Sequence, residues 1–116
     1  MSYTNGLDKP SDYFNTKLYA GNNGTQSITG IGFAPDWVWI KNRDTTDNNV
    51  LYDTVRGVQK RLISNNTDAE ATKTNGLTAF GSDGFSLGSA GESNDNNLVS
   101  WNWKAGTSFT NDASGT

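Results

Sequence analysis

Carboxylates are the side chains of this sequence that could supply acid–base chemistry, because it contains ten Asp and two Glu but no His and no Cys. A hydrolase that works with paired carboxylates needs an acid and a base facing one cleft. Most of the Asp residues stand beside Gly, Asn or Ser, where a short carboxylate favours a turn. Asp53 and Glu70 are the exceptions, and nothing in the sequence pairs them. We therefore predict a non-enzyme without catalytic residues, in which Asp53 bonds Arg56 or Arg61 locally.

Metal and cofactor chemistry has equally little support. The absence of His and Cys removes the commonest ligands for zinc and other transition metals. Two oxygen-rich runs, 44–48 and 92–97, contain ligands that calcium accepts, but neither has the spacing of a known calcium loop. Gly30-Ile31-Gly32 lacks the Lys and Ser or Thr of a phosphate-binding loop. We predict no metal site and no cofactor.

All four tryptophans lie in two W-x-W segments, D-W-V-W-I-K (36–41) and S-W-N-W-K (100–104). In a β-strand, residues i and i+2 share a face, so each pair puts two indoles side by side. Such a pair either fills the core of a small sandwich or forms a platform for the apolar face of a sugar. Core packing is the favoured interpretation, because the chain has few Leu and Ile. If one pair binds a glycan, the candidate residues are Trp37, Trp39 and Asn42.

Two sequons for N-glycosylation occur, Asn23-Gly24-Thr25 and Asn65-Asn66-Thr67. Both lie in polar segments that predict exposed loops. In a chain with 15 Asn and 14 Thr, such triplets also arise by chance. Asn23 and Asn65 are therefore candidate glycosylation sites whose use the sequence leaves open.

The elements that must position these residues are short β-strands separated by polar turns. Turn signals and alternating apolar residues predict about eight strands at intervals of roughly 8–14 residues, typical of an all-β, single-domain antiparallel sandwich of the jelly-roll or lectin-like kind. Segment 37–42 is the clearest strand, and because both its faces are apolar we expect it at the centre of a sheet. In the strand predicted over 98–104, we expect Val99, Trp101 and Trp103 to face the core. The other predicted elements are strands at 13–19, 25–33, 50–55, 59–64, 77–80 and 84–87, a helical alternative over 68–72, a polar loop over 89–97 and a last strand or tail at 108–110.

Length and composition indicate one small domain. The chain has 116 residues, of which only 33% are hydrophobic, so its core must be thin and rely on aromatics. We divide it into an N-terminal arm (1–12), a β-sandwich domain (13–106) and a C-terminal tail or inter-subunit strand (107–116). The net charge of -3, with the nine basic residues scattered, argues against nucleic-acid binding. No apolar run predicts a signal peptide or a membrane span.

Several segments, in order along nearly the whole chain, resemble a domain of tail-fibre-like structural proteins from marine and environmental bacteriophages. The resemblance implies a β-sandwich module of a virion or appendage, similar in outline to lectin-like jelly rolls, and it implies no catalytic residues. The run from Asp36 to Arg43 is its most specific part. The matching segments are Y-F-N-T (13–16), Y-A-G-N (19–22), T-Q-S-I (25–28), G-F-A-P-D-W-V-W-I-K-N-R (32–43), L-Y-D-T-V-R-G (51–57), F-G-S-D-G-F-S-L-G (80–88) and W-N-W-K-A-G (101–106).

These observations predict a non-enzymatic structural subunit of a virion or extracellular appendage that self-associates into an oligomer or fibre. A thin core without disulfides calls for another source of stability, and oligomerisation is the usual one. The expected partners are other copies of the chain, with the arm or the tail packing on a neighbouring subunit. The alternative is a lectin-like module that binds surface glycans through one tryptophan pair.

Overall fold

The computed structural model describes residues 9–105, which form two antiparallel β-sheets. The strands are β1 (Phe14–Ala20), β2 (Gln26–Ile28), β3 (Trp37–Asn42), β4 (Val50–Asp53), β5 (Lys60–Ile63), β6 (Ala71–Thr72), β7 (Leu77–Phe80), β8 (Phe85–Leu87) and β9 (Asn97–Trp103), with a 3₁₀ turn at Pro10–Asp12 and helix α1 at Gly91–Asn94. The larger sheet has the order β1-β9-β3-β4-β5-β6 and the smaller one β2-β8-β7. The predicted all-β antiparallel sandwich is confirmed, as is the central position of β3.

The core lies between the two sheets and is built from one face of each. Burial alternates along β3 and β4, so that Val38, Ile40, Val50 and Tyr52 are fully buried. Burying one such side chain contributes about 1.5–3 kcal/mol. Burial also raises the pKa of Tyr52 to about 12. The full cluster is Ile28, Ile31, Phe33, Val38, Ile40, Val50, Tyr52, Leu77, Phe85, Leu87 and Leu98.

The strand predicted over 25–33 is too long, because the chain leaves the sheet after β2. Gly30 and Gly32 have φ angles of 82° and 95°, a left-handed backbone that breaks a strand and favours glycine. Their N–H groups donate to the two carboxylate oxygens of Asp83 at 2.9 and 2.7 Å. The Ile31 N–H donates to the Asp83 carbonyl at 3.2 Å. The β7–β8 hairpin thus holds the bent segment in place, with Ile31 in the core.

Neutralising the Asp83 carboxylate is expected to destabilise the domain at neutral pH. The N–H groups of Gly30 and Gly32 hold the Asp83 pKa below its ordinary value of 3.8. A carboxyl with a lowered folded pKa stabilises the fold above its unfolded pKa, and the contribution is lost as pH falls through the lowered value. Asp83→Asn should therefore lower the urea midpoint at neutral pH more than in strong acid. The exposed loop variant Asp68→Asn is the control, and an equal loss for Asp83→Asn in both conditions would contradict the prediction.

Three further sequence predictions differ from the structure. The strand predicted over 50–55 stops at Asp53, because the Arg56 N–H donates to Asp53 Oδ1 at 2.8 Å and closes a turn. The helical alternative over 68–72 is wrong, since the chain there forms β6 and pairs with β5. The polar loop predicted over 89–97 contains α1 and the first residue of β9.

Asn94 joins the short helix α1 to the turn that follows β1. Its side chain is fully buried, and Nδ2 donates to the carbonyls of Gly24 and Gly88 at 2.8 and 2.9 Å. Its Oδ1 accepts from the Asn22 N–H at 3.2 Å and from Gln26 Nε2. One buried amide therefore satisfies polar groups from the turn after β1, from β2 and from the segment after β8.

The predicted arm and tail lie largely outside the described residues, and so does the strand or tail suggested at 108–110. They stay predictions. The part of the arm that is described forms the 3₁₀ turn Pro10–Asp12, which the Tyr13 N–H closes by donating to the Pro10 carbonyl at 3.0 Å. Across residues 9–105, no helix is long and apolar enough to cross a membrane.

Candidate functional site

The tryptophans of both W-x-W segments lie on the outer face of the six-stranded sheet, the face turned away from the smaller sheet. In β3 the residues between and after the indoles, Val38 and Ile40, are the fully buried ones. Trp37 and Trp39 therefore point away from the core. The tryptophans of β9 lie directly beside those of β3 in the pairing register and share this face. The expectation that the four indoles fill the core is wrong.

The inner face of β9 carries small polar residues instead. Ser100 and Asn102 are fully buried. Asn102 Nδ2 donates to Ser100 Oγ at 3.0 Å and to the Asn15 carbonyl at 3.2 Å, and Ser100 Oγ donates to the Lys17 carbonyl at 3.4 Å. The side-chain donors of both residues are thus bonded, as buried polar groups usually are, while Asn102 Oδ1 has no partner among the described residues. The face of this strand that was predicted to meet the core is its outer face, with Val99, Trp101 and Trp103.

Three aromatic rings form a row across three strands of the outer face. The register places Phe14 of β1 beside Trp103 of β9, and Trp103 beside Trp37 of β3. Trp37 and Trp103 stack with 4.3 Å between ring centroids and 23° between ring planes, and Phe14 tilts against Trp103 at 5.0 Å. Phe14 and Trp37 each keep 38% of their surface exposed. We call these three residues the aromatic row.

A groove of about 240 Å³ lies beside the aromatic row and is lined by Trp39, Trp101 and Trp103. Trp39 and Trp101 are directly opposite each other in β3 and β9, with their rings edge to face at 5.8 Å. The Trp39 indole N–H is buried and has no hydrogen-bond partner among the described residues. A buried donor left unpaired costs about 1–3 kcal/mol. This N–H is closed to solvent in the described conformation, so the groove surface is built from indole rings and favours a ligand with an apolar face.

Two charged groups of the described residues near the groove are already bonded. The Lys41 ammonium, two residues beyond Trp39, donates to two backbone carbonyls at 2.7 and 2.8 Å. Asp53, opposite Trp37 on β4, binds the Arg56 guanidinium at 2.6 Å. On the other side Thr16, paired with a tryptophan of β9, adds an exposed hydroxyl. This surrounding suits a neutral, hydroxyl-rich ligand better than an ion.

The structure changes the set of candidate glycan-binding residues. Trp39 lines the groove, while Trp37 supports it through its stack on Trp103. Asn42 does not belong to the outer face: it is 1% exposed, its Nδ2 donates to the Asp95 carbonyl at 2.9 Å, and its Oδ1 accepts an N–H from the next loop at 2.9 Å. The prediction that Asn42 contributes to a glycan site is therefore wrong. The candidate set left out Trp101 and Trp103 of β9, although their matching W-x-W spacing was the available signal.

The two carboxylates that stood out in the sequence meet on one guanidinium. Arg56 Nε donates to Asp53 Oδ2 at 2.6 Å, and Arg56 Nη1 donates to Glu70 Oε1 at 3.2 Å. The predicted local bond between Asp53 and Arg56 is confirmed. Burial would raise the Asp53 pKa, but the backbone N–H and guanidinium of Arg56 outweigh it and lower that pKa. An ion-paired carboxylate of this kind is poorly suited to act as a proton donor.

The two oxygen-rich runs are also committed to structural contacts. Glu92 pairs with Arg61 at 2.7 Å, and Asp44 Oδ2 accepts from the backbone and side-chain N–H groups of Asn97 at 2.9 and 3.0 Å. Within residues 9–105, no group of three or more His, Cys, Asp or Glu side chains could hold a metal ion.

The two sequon asparagines lie in exposed loops, as expected. Asn23 Nδ2 donates to Asp95 Oδ1 and Asn65 Nδ2 to Asn48 Oδ1, both at 3.0 Å. Glycosylation at these positions stays a prediction.

Comparison with known families gives one match. A family model described as a domain of unknown function, DUF7483, covers residues 9–116. No curated protein and no solved structure matches the chain.

Proposed function

The chain belongs to the DUF7483 family, and we propose that it is a non-enzymatic, glycan-binding β-sandwich module of a virion or other extracellular appendage. The appendage setting rests on the sequence resemblance to tail-fibre-like phage proteins. The glycan-binding role rests on the outer face of the six-stranded sheet. The non-enzymatic character is supported by the pairing of Asp53 and Glu70 with one guanidinium.

The observation that carries the proposal is the tryptophan groove with its unpaired indole donor. A pyranose ring offers a patch of C–H bonds that packs on indole rings, and its hydroxyl and ring oxygens accept hydrogen bonds. The groove supplies three indole side chains from two neighbouring strands. A small turn of the Trp39 ring on binding would bring its buried, unpaired N–H to the ligand. A purely apolar occupant would cover the rings and leave this donor unpaired. A sugar satisfies both requirements.

A glycan array probed with the labelled domain tests the proposal, followed by titration calorimetry with the best ligand. We expect binding of neutral oligosaccharides, because the Lys41 ammonium and the Asp53 carboxylate near the groove already have hydrogen-bond partners within the domain. Absence of binding to any glycan would overturn the glycan-binding role. Binding only to polyanionic sugars would contradict the groove as the site.

Trp37→Ala is expected to leave the domain folded and to weaken glycan binding by a few-fold. Trp37 is 38% exposed and outside the groove lining, so its removal leaves no enclosed cavity, but it takes away the ring on which Trp103 stacks. Thermal unfolding and calorimetry check the two effects separately. Trp37→Phe, which keeps an aromatic ring in the row, is the matched control. Unfolding of Trp37→Ala at room temperature would show that the row is structural and would contradict the platform.

A second candidate is a structural subunit that self-associates. The favouring observation is the amount of exposed apolar surface on the outer face of β1, where Leu18 is 56% exposed and Phe14 38% exposed. Sedimentation of the purified domain over a wide concentration range tests it, and a monomer at the highest concentration would contradict it. Glycan binding by a monomer and assembly without glycan binding are therefore separable results.

A further inference from the structure

Strand β1 is a long and regular edge of the six-stranded sheet. It pairs with β9 over its whole length without a bulge. The other edge strands of the described residues are short or interrupted: β6 has two residues, β2 has three, and β7 carries a register shift. Soluble proteins blunt their edges by such means because an open edge pairs with another chain. β1 contains no Pro, and its one charged residue, Lys17, lies opposite the buried Ser100 on the inner face.

Every second residue of β1 directs its backbone groups to the open side. The N–H that follows β9 donates to the Tyr13 carbonyl at 2.7 Å, which sets the alternation of the antiparallel ladder. Phe14, Thr16 and Leu18 therefore point their N–H and C=O groups away from β9. The outward carbonyl of Ala20 already accepts a hydrogen bond from Gln26 Nε2 at 2.9 Å. Among residues 9–105, the stretch left open is thus 14–18.

We propose that β1 pairs antiparallel with β1 of a second copy of this chain, about a twofold axis at Thr16. In this register Phe14 of one protomer lies opposite Leu18 of the other, and the two Thr16 residues face each other. Each of these residue pairs exchanges two backbone hydrogen bonds. On the outer face the pairing creates two Phe–Leu contacts and one Thr–Thr contact, which are favourable cross-strand pairs.

Two alternative registers, with the axis at Lys17 or at Leu18, are worse. An axis at Lys17 would set two ammonium groups opposite each other, and like charges facing across strands are destabilising. An axis at Leu18 would leave Phe14 without a partner and would require the Ala20 carbonyl, which is already bonded. With the axis at Thr16, Lys17 faces Asn15 of the other protomer. The one local contact to be exchanged is the Thr16 N–H bond to Asn15 Oδ1, at 3.0 Å.

The pairing joins two six-stranded sheets into one and brings two outer faces side by side. No residue that lines the groove belongs to β1. The assembly thus presents two grooves on one surface, and two linked sites bind a repetitive glycan more tightly than either alone. The inference deepens the self-association of the second candidate and is independent of whether the groove binds a sugar.

Cysteine cross-linking tests the register directly, because the chain has no Cys of its own. Thr16→Cys is expected to give a disulfide-linked dimer as the main species in a glutathione redox buffer, since hydrogen-bonded antiparallel pairs lie about 5.5 Å apart, within disulfide range. Leu18→Cys alone is expected to stay largely unlinked, because the two copies would lie roughly 13 Å apart along the strands. An equal mixture of Phe14→Cys and Leu18→Cys proteins should cross-link.

Thr16→Pro provides the second arm of the test. The Thr16 N–H points to the open side of β1, so its loss breaks no hydrogen bond with β9. Proline is tolerated at such edge positions. We expect this variant to keep the circular dichroism spectrum of the wild type and to raise the dimer dissociation constant at least tenfold in sedimentation. Equal cross-linking of Leu18→Cys and Thr16→Cys, or a wild-type monomer at the highest concentration, would overturn the proposal.

Discussion

Replacing Asn94 with alanine is expected to lower the free energy of unfolding by about 3 kcal/mol, one of the two largest effects we predict. The variant loses the bonds to the Gly24 and Gly88 carbonyls and leaves the Asn22 N–H without its acceptor. Gln26 Nε2 also loses one of its two acceptors and keeps only the Ala20 carbonyl. Each buried polar group that loses its partner costs about 1–3 kcal/mol. Urea unfolding followed by tryptophan fluorescence measures the change.

Two companion variants make the Asn94 result interpretable. Asn94→Asp keeps the size of the side chain but removes both Nδ2–H donors, so it should be at least as damaging as alanine if hydrogen bonds are the cause. Asn66→Ala removes an exposed asparagine with one local bond to the Asp68 N–H, and its effect should stay near about 0.5 kcal/mol. A loss below about 1 kcal/mol for Asn94→Ala would contradict the role assigned to this amide.

Replacing Trp39 with phenylalanine is expected to weaken glycan binding about tenfold, because it removes the N–H that the ligand would satisfy. The same change should alter the free energy of unfolding by no more than about 1 kcal/mol, since relief of the unpaired buried donor offsets the loss of ring volume. At this position we thus expect a large loss of glycan affinity with little change in the free energy of unfolding. Calorimetric titration and urea unfolding of the same preparation measure both quantities.

The matched control for Trp39→Phe is Trp37→Phe, which makes the same chemical change outside the groove. It should bind the glycan within about twofold of the wild type, because Trp37 does not line the groove and no hydrogen bond to the ligand is lost. Equal losses of affinity in the two variants would mean that ring size, and not the Trp39 donor, governs binding.

The sequence predicted where strands lie in the sheets better than it predicted which face of each strand meets the core. The apolar character of both faces of 37–42 correctly indicated a central strand, which is where β3 lies. In β9 the hydrophobic pattern predicted the wrong core face. A pattern of this kind counts every indole as a core residue, so it assigned the tryptophan face of β9 to the core. Ser100 and Asn102 are buried instead, since the Lys17 and Asn15 carbonyls of the neighbouring strand accept hydrogen bonds from their side-chain donors. Those hydrogen bonds depend on tertiary contacts that a linear pattern does not contain.

Long-range contacts also explain the other differences. The bend at Gly30 and Gly32 depends on the carboxylate of Asp83, which lies far along the chain. Asn42 looked available for a ligand because it follows a tryptophan pair, but its position in the strand turns it inward onto the Asp95 carbonyl. By contrast, the bond from Arg56 to Asp53 spans only a few residues, and the sequence predicted it correctly.

The most direct test of the glycan-binding groove is the ¹⁵N–¹H spectrum of the indole N–H groups during titration with the best ligand from the array. The chain has four tryptophans and hence four such signals, and the signal absent from Trp39→Phe identifies Trp39. We predict that the Trp39 signal moves most, in a saturable way, toward the shift of a hydrogen-bonded indole. Glycan binding that leaves the Trp39 signal unmoved would contradict this prediction.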